Sequence, residues 1–352
     1  MKHKQYDILA DLLKGIGIIS VVIGHSGGFI PTKLGSSVTA FVYLYHLMVF
    51  FFVAGMTFHP KKYPDPYVYI GRQLKSTAPL FIGYNLLFLA AHNLFARFHV
   101  VDIEPFTKND FIIQGISIFA FKYTEVLTGA LWFVPMFLFS RSLFAIGFQH
   151  AEKFSCKWIS HAIVLLVTGA FGLYTSSCGM CLHFALQTAL LGIPVIYLGY
   201  WFQQNREKLI RFANPLTCLV SMSLLGAFVH MKIGHIDLAN NQIISVYWFY
   251  PITILGIIFC VSLAESIRSA KWIANVVAHA GSISFHIMAL HFAVFKCFDL
   301  FVGKFMGIDL AARMRFPYTF DRIGWLYTIL GIGIPALWVY LLRIARNKFY
   351  TK

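Results

Sequence analysis

The chain has 352 residues, of which 58% are hydrophobic and only 12% are Asp, Glu, Lys or Arg, against about 25% charged in a soluble domain. With a mean hydropathy of +0.69, this composition excludes a soluble enzyme, a disordered chain and a coiled coil, and reads as an integral membrane protein. The formal charge of +15 sits in short basic runs between apolar stretches. That pattern marks cytoplasmic loops, so the expected partners are the lipid bilayer and an anionic cofactor, with no nucleic acid.

A spanning helix needs about 20 mostly apolar residues. In chain order, ten stretches qualify, near residues 8–29, 38–58, 77–95, 130–149, 158–176, 183–202, 216–230, 243–264, 281–298 and 323–342. The apolar segment 111–121 is too short to span and reads as interfacial or re-entrant. The termini and the loops around 59–76, 150–157, 203–214 and 265–280 hold 17 Lys and Arg; the opposite loops, with Lys296 counted at the end of the ninth span, hold 10. This bias places both termini in the cytoplasm. The expectation is therefore an all-α polytopic membrane protein of about ten transmembrane helices, one domain over 1–352, without an appended soluble domain, an internal repeat or a cleavable signal peptide. Six cysteines make no disulfide framework, and Cys178-Gly-Met-Cys181 reads as a pair of ordinary loop cysteines.

Ionisable residues inside a bilayer are costly and mark function. The first span reads Asp11-Leu-Leu-Lys14-Gly-Ile-Gly-Ile-Ile-Ser-Val-Val-Ile-Gly-His25. Lys14 and His25 are eleven residues apart, about three helical turns, so they share one face, with a rise of about 16.5 Å between them. Asp11, one turn before Lys14, can neutralise it. Gly15, Gly17 and Gly24 allow close approach of a helix or ligand. The bland alternative is an interfacial ion pair and a packed histidine.

These residues resemble the opening motif of the membrane acyltransferase 3 family, a basic residue, ten intervening residues and then His, which Lys14 and His25 fit. Later segments match that family in order. His46-Leu-Met-Val-Phe-Phe-Phe-Val-Ala-Gly55 is similar to its second-span pattern, Arg72-Gln-Leu-Lys75 with Pro79 to its basic cytoplasmic segment, and Leu131-Trp132-Phe-Val-Pro135 to its Leu-Trp-Phe-Leu-Pro motif. Ser282-Ile-Ser-Phe-His286-Ile-Met-Ala-Leu-His291 is similar to its late Ser…Leu-His segment, and the loop Ile236–Asn240 leans towards the fucose-4-O-acetylase-like branch. The resemblance implies a multi-pass protein of the bacterial cytoplasmic (inner) membrane. Its reaction would move an acetyl or other small acyl group from acyl-CoA to a hydroxyl of a cell-surface carbohydrate or glycolipid precursor.

On that reading the donor, acetyl-CoA, brings phosphates that need cations at the inner mouth. Lys14, Arg72, Lys75 and Arg141 are the candidates, Arg being able to grip two oxygens at once. Snorkelling would equally explain Arg141, and the positive-inside rule Arg72 and Lys75. The phosphates would sit near Lys14, with pantetheine along the first span and the thioester near His25. His25 is then either the general base or the acyl acceptor; His46 and His291 are further catalytic candidates. Asp11 supports Lys14, and Trp132 lines the acyl site or belongs to the interfacial belt. No His/Cys/Asp spacing matches a closed metal site. The competing reading is a secondary transporter or flippase for a polar glycan or metabolite. The sequence leaves open the acceptor sugar, the membrane face of acylation and homo-oligomerisation.

Overall fold

The computed structural model describes residues 8–27, 33–180, 182, 185–233, 236–243, 245–317, 320 and 323–350. Cys181 and His183 lie outside the described residues. In chain order the first helices are α1 (Ile8–His25), α2 (Lys33–Tyr43), α3 (Met48–Met56), α4 (Pro66–Ala90), α5 (His92–Arg97) and α6 (Lys108–Phe119). A 3-10 segment, Val126–Trp132, leads into α7 (Phe133–Ala151), followed by α8 (Lys157–Ser177), α9 (Leu186–Gln204), α10 (Arg206–Leu209) and α11 (Pro215–His230). A short hairpin of β1 (Ile236–Asp237) and β2 (Gln242–Ile243) precedes α12 (Phe249–Ile267), α13 (Lys271–Ser282), α14 (Ser284–Phe305), α15 (Leu310–Arg313) and α16 (Gly324–Tyr350). The chain is an all-α polytopic membrane protein.

Seven helices among the described residues are long and apolar enough to cross a bilayer, or eight if the bent pair Arg206–Phe212 and Pro215–His230 makes one span. The ten expected segments are all mainly helical, but two fall short as spans, and a third, 216–230, spans only when joined to Arg206–Phe212. In α4, Arg72, Gln73, Lys75 and Asn85 dilute the apolar run, and in α9 Gln187, Thr188, Gln203 and Gln204 do the same. The short segment 111–121 falls largely within α6, with Ile112, Ile113, Ile116 and Phe119 exposed. Its start is fixed by a capping box in which the Thr107 hydroxyl accepts from Asp110 N–H while the Asp110 carboxylate accepts from Thr107 N–H. The Thr107 hydroxyl also donates to the Asp110 carboxylate at 2.7 Å, and that bond first, with the one from Thr107 N–H, holds the Asp110 carboxyl below its ordinary range.

The chain divides into two compact units. The first comprises Met1–Gly17, Tyr43–Pro79 and Phe133–Gly281. Here helices meet backbone to backbone at glycines. A methyl at Gly55 on α3 would lie 1.8 Å from the Ile196 carbonyl oxygen, and one at Gly199 on α9 would lie 1.9 Å from that of Phe52. The start of α1 crosses α13 in the same way: a methyl at Gly15 would lie 2.0 Å from Val277 O, and one at Gly281 1.9 Å from Asp11 O. Close small-residue crossings of this kind replace the hydrophobic drive that lipid does not supply. Gly281→Ala is therefore expected to lower the thermal midpoint of the detergent-solubilised protein, at a cost of at least about 1–3 kcal/mol for overpacking. Gly226→Ala on α11, where a methyl meets nothing within 4 Å, should leave the midpoint unchanged or raise it.

The second unit comprises Ile18–Val42, Leu80–Trp132 and Ser282–Lys352. Its α14 packs against α16 and against the 3-10 segment Val126–Trp132. Phe88, Val100, Val101 and Leu127 form one buried apolar cluster. Lys296 lies inside α14, fully buried. That corrects its place in the loop count: it is not an external charge that orients the chain. Lys296 Nζ donates to Asp299 Oδ2 at 2.7 Å, to Arg313 O at 2.7 Å and to Arg315 O at 2.6 Å. Three ammonium protons thus meet three acceptors. Tyr327 of α16 donates to the other Asp299 oxygen.

Candidate active site

Two groups of polar residues stand out, one in each unit. In the first unit a cavity of about 890 Å³ opens among the start of α1, the 56–73 segment, α7, the end of α9 and the α12–α13 turn. Six Lys and Arg line it, namely Lys14, Lys62, Arg72, Arg141, Arg206 and Arg268, against one carboxylate, Asp11. Asp11 and Lys14 form the ion pair their spacing predicts. The glycine crossing of α1 and α13 fixes this turn of α1. Arg141, inside α7, finds a phenol rather than an acid: its Nε and Nη2 donate to Tyr69 Oη at 3.3 and 3.0 Å. The guanidinium also lies over the Tyr69 and Phe137 rings, 5.7 and 5.2 Å from their centroids, a cation–π arrangement that keeps the full positive charge. Arg72 lies over Tyr63 at 5.5 Å. Lys75, one turn beyond Arg72, is exposed on α4 and does not line the cavity.

Lys62, Arg206 and Arg268 are cavity residues that sequence reasoning passed over. Each belongs to a basic loop, and a basic loop residue looks the same whether it orients the chain or binds an anion. His59 and Tyr69, also in the lining, carried no signal at all.

In the second unit, His25 is the last residue of α1 and is half-buried. His291, in α14, is fully buried. Their ring centroids are 5.4 Å apart, and Phe292 lies 4.8 Å from His25 and 4.3 Å from His291. His291 Nδ1 lies 3.0 Å from the Ile287 carbonyl. A carbonyl only accepts, so Nδ1 carries the hydrogen and Nε2 the lone pair. Nε2 is buried and has no hydrogen-bond partner among the described residues. The glycine at 331 lets α16 press on this place: a methyl there would lie 2.8 Å from the Phe295 ring and 3.5 Å from His291 Cβ. Ser26, next to His25, is tied to α16 by a 3.0 Å hydroxyl contact with Thr328. Trp132, half-buried, ends the 3-10 segment that packs on α14.

His46 belongs to the first unit, is buried and packs at 4.8 Å from the Tyr43 ring. His286 bonds through Nδ1 to Tyr84 Oη at 2.7 Å. A further buried pair was not anticipated. His92 Nδ1 lies 2.9 Å from Glu125 Oε1 while its Nε2 donates to Glu104 O at 3.0 Å. The pair is separated by 33 residues, beyond any local pattern.

The chain is thus an α-helical membrane protein with a cation-lined cavity in one unit and a pair of neighbouring imidazoles, His25 and His291, in the other. The sequence model of an acyltransferase domain family, acyltransferase 3, matches residues 8–344, nearly the whole chain, and the protein belongs to that family. No curated protein and no solved structure matches it significantly.

Proposed function

We propose that this acyltransferase takes an acetyl or other small acyl group from acyl-CoA and delivers it to a hydroxyl of a cell-surface carbohydrate or glycolipid precursor at the bacterial cytoplasmic membrane. The observation that carries the donor half is the cavity of the first unit. Four of its six cations, Lys62, Arg72, Arg206 and Arg268, come from the 59–76, 203–214 and 265–280 loops, the same loops the basic-residue count assigns to the cytoplasm, where acyl-CoA is found. Six lining cations against one lining carboxylate, with Arg268 already paired to Glu265, suit a ligand with several phosphate charges, and Arg72, Arg141 and Arg206 offer forked donors to phosphate oxygens.

The acyl chemistry falls to His25 and His291. His25 is the more accessible ring and meets the reactants. As general base it takes the acceptor hydroxyl proton while that oxygen attacks the thioester carbonyl; the C–S bond breaks and the CoA thiolate leaves, taking up the proton. In the covalent variant His25 first accepts the acyl group and then yields it to the hydroxyl. The lone pair on His291 Nε2 gives the site a second proton acceptor, fully buried, beside His25.

Incubation of the purified protein with acetyl-labelled acetyl-CoA and a total glycan extract of its source should yield label in alkali-labile ester on glycan. Arg141→Ala removes a cation that no carboxylate among the described residues offsets, so the acetyl-CoA KM is expected to rise by about tenfold, equivalent to one lost charge-assisted bond. Label-free glycan, with no acyl-CoA bound by the wild type, would reject the donor assignment.

A further inference from the structure

A second cavity, of about 380 Å³, lies wholly within the second unit and falls in the size range of small-molecule sites. Its polar wall consists of Asp102 and Arg315, and its aromatic wall is Phe316. Both charged side chains are exposed, and neither makes an ion pair or a side-chain hydrogen bond among the described residues. Two opposite charges therefore face one cavity without being spent on each other. Together they offer a strong acceptor and a forked set of donors to a neutral ligand that has both hydroxyl hydrogens and oxygens. Phe316, 43% exposed, offers an apolar face of the kind the C–H side of a sugar ring stacks on. The first-unit cavity, with its excess of cations, suits an anion; this one suits a polyol.

The position is as telling as the chemistry. The Phe316 ring lies 4.8 Å from Phe292, and Phe292 contacts both His25 and His291. One ring thus connects the cavity wall to the imidazole pair. The wall itself is held by the buried lysine, because Lys296 donates to the carbonyls of Arg313 and Arg315. The lining segments, 101–103 and 311–316, also come from two loops that the charge count puts on one side of the membrane, opposite the donor loops.

We infer that the cavity between Asp102 and Phe316 is the acceptor site, binding a neutral sugar unit whose hydroxyl is presented past Phe292 to His25. This rests on the O-acyl-transfer reading and adds the place where the acceptor is held. Asp102 and Arg315 hydrogen-bond neighbouring hydroxyls, Phe316 stacks on the ring, and Lys296 is a positioning residue acting through the backbone.

The test uses a total glycan extract of the source, tritiated by borohydride reduction, in equilibrium binding to the purified full-length protein without acyl donor. Arg315→Ala, Asp102→Asn and Phe316→Leu leave the carbonyls that Lys296 holds in place. Each is expected to weaken glycan binding by about tenfold, the loss of one bond to a charged group or of one stacked face. In the transfer assay each should raise the glycan KM by a similar factor while the acetyl-CoA KM stays within about twofold of wild type. Wild-type transfer with an unmoved glycan KM in all three variants overturns the acceptor site and leaves the transfer reading intact. Glycan binding that these variants abolish, with no ester formed by the wild type, upholds the site and overturns the transfer reading. Neither binding nor transfer in the wild type overturns both.

Discussion

His25→Ala is expected to lose acyl transfer by about 10²–10⁴-fold, the ordinary contribution of one positioned acid–base group, while retaining acyl-CoA binding. The separation follows from where the residues lie. The cations proposed to bind the donor belong to the first unit and His25 to the second, so on that proposal removing the imidazole takes away no phosphate contact. His291→Ala should reduce turnover as well. Its Nε2 lone pair is fixed by the Nδ1 bond to Ile287 O, and alanine removes the acceptor without touching an exposed surface. His291→Gln retains polarity but not basicity, so recovery of activity in Gln would assign His291 a packing role. Transfer at the wild-type rate in purified His25→Ala would remove His25 from the mechanism in both its base and its acyl-acceptor forms. A pulse of labelled acetyl-CoA without glycan distinguishes those two forms, since only the second leaves label on the protein.

Lys296→Met is expected to be the most destabilising single change in the second unit, by about 3–5 kcal/mol, because it removes one partner of the fully buried Lys296–Asp299 ion pair. It also leaves the carbonyls of Arg313 and Arg315 without the donor they share, each worth about 1–3 kcal/mol if no replacement reaches it. Asp299→Asn should cost less, since the amide still accepts from Lys296. The double change Lys296→Met with Asp299→Leu removes both charges and should recover part of the loss, as replaced buried pairs commonly do. Thermal unfolding in detergent measures the ranking. Brief trypsin treatment supplies a local readout: the loop held by Lys296 carries Arg313 and Arg315, and its release should expose both bonds to cleavage. A Lys296→Met protein as stable and as trypsin-resistant as wild type would show that the loop is held by other contacts.

Much of this arrangement is written in short-range sequence patterns, and the remainder is not. Asp11 and Lys14 pair because they are one helical turn apart, which is visible in the sequence. Arg141 is legible as a charge inside an apolar span, but its partner is not: Tyr69 lies 72 residues away and is a phenol, so a search for an opposite charge misses it. Lys296 and Asp299 have the same three-residue spacing as Asp11 and Lys14. They were nonetheless read as the end of a span and the start of a loop, because α14 extends to Phe305, beyond the apolar run that marks it. The carbonyls of Arg313 and Arg315 carry no side-chain signature at all. The excess of expected spans has a simple physical origin. α4 and α9 are helical, but helix formation and bilayer crossing are separate requirements, and only the second is sensitive to two or three glutamines or cations in the window. The basic cavity was partly legible, since Lys14, Arg72 and Arg141 were named. Lys62, Arg206 and Arg268 needed three loops to be brought together, which no periodicity encodes.

The glycine crossings of the first unit bear on how the protein withstands extraction from its membrane. Packing that depends on expelling water or lipid weakens when the surrounding solvent changes. At Gly55, Gly199 and Gly281 the nearest opposing atoms are all backbone, and at Gly15 they are the Val277 carbonyl and its side-chain methyl, which leaves little for a detergent tail to displace. The contact energy there is dispersion between two backbones, which is indifferent to the chemistry of the medium outside. The cation cavity, framed at one edge by the α1–α13 crossing, thus inherits a shape set by the main chain, and the anion binding proposed for it should carry over from bilayer to micelle.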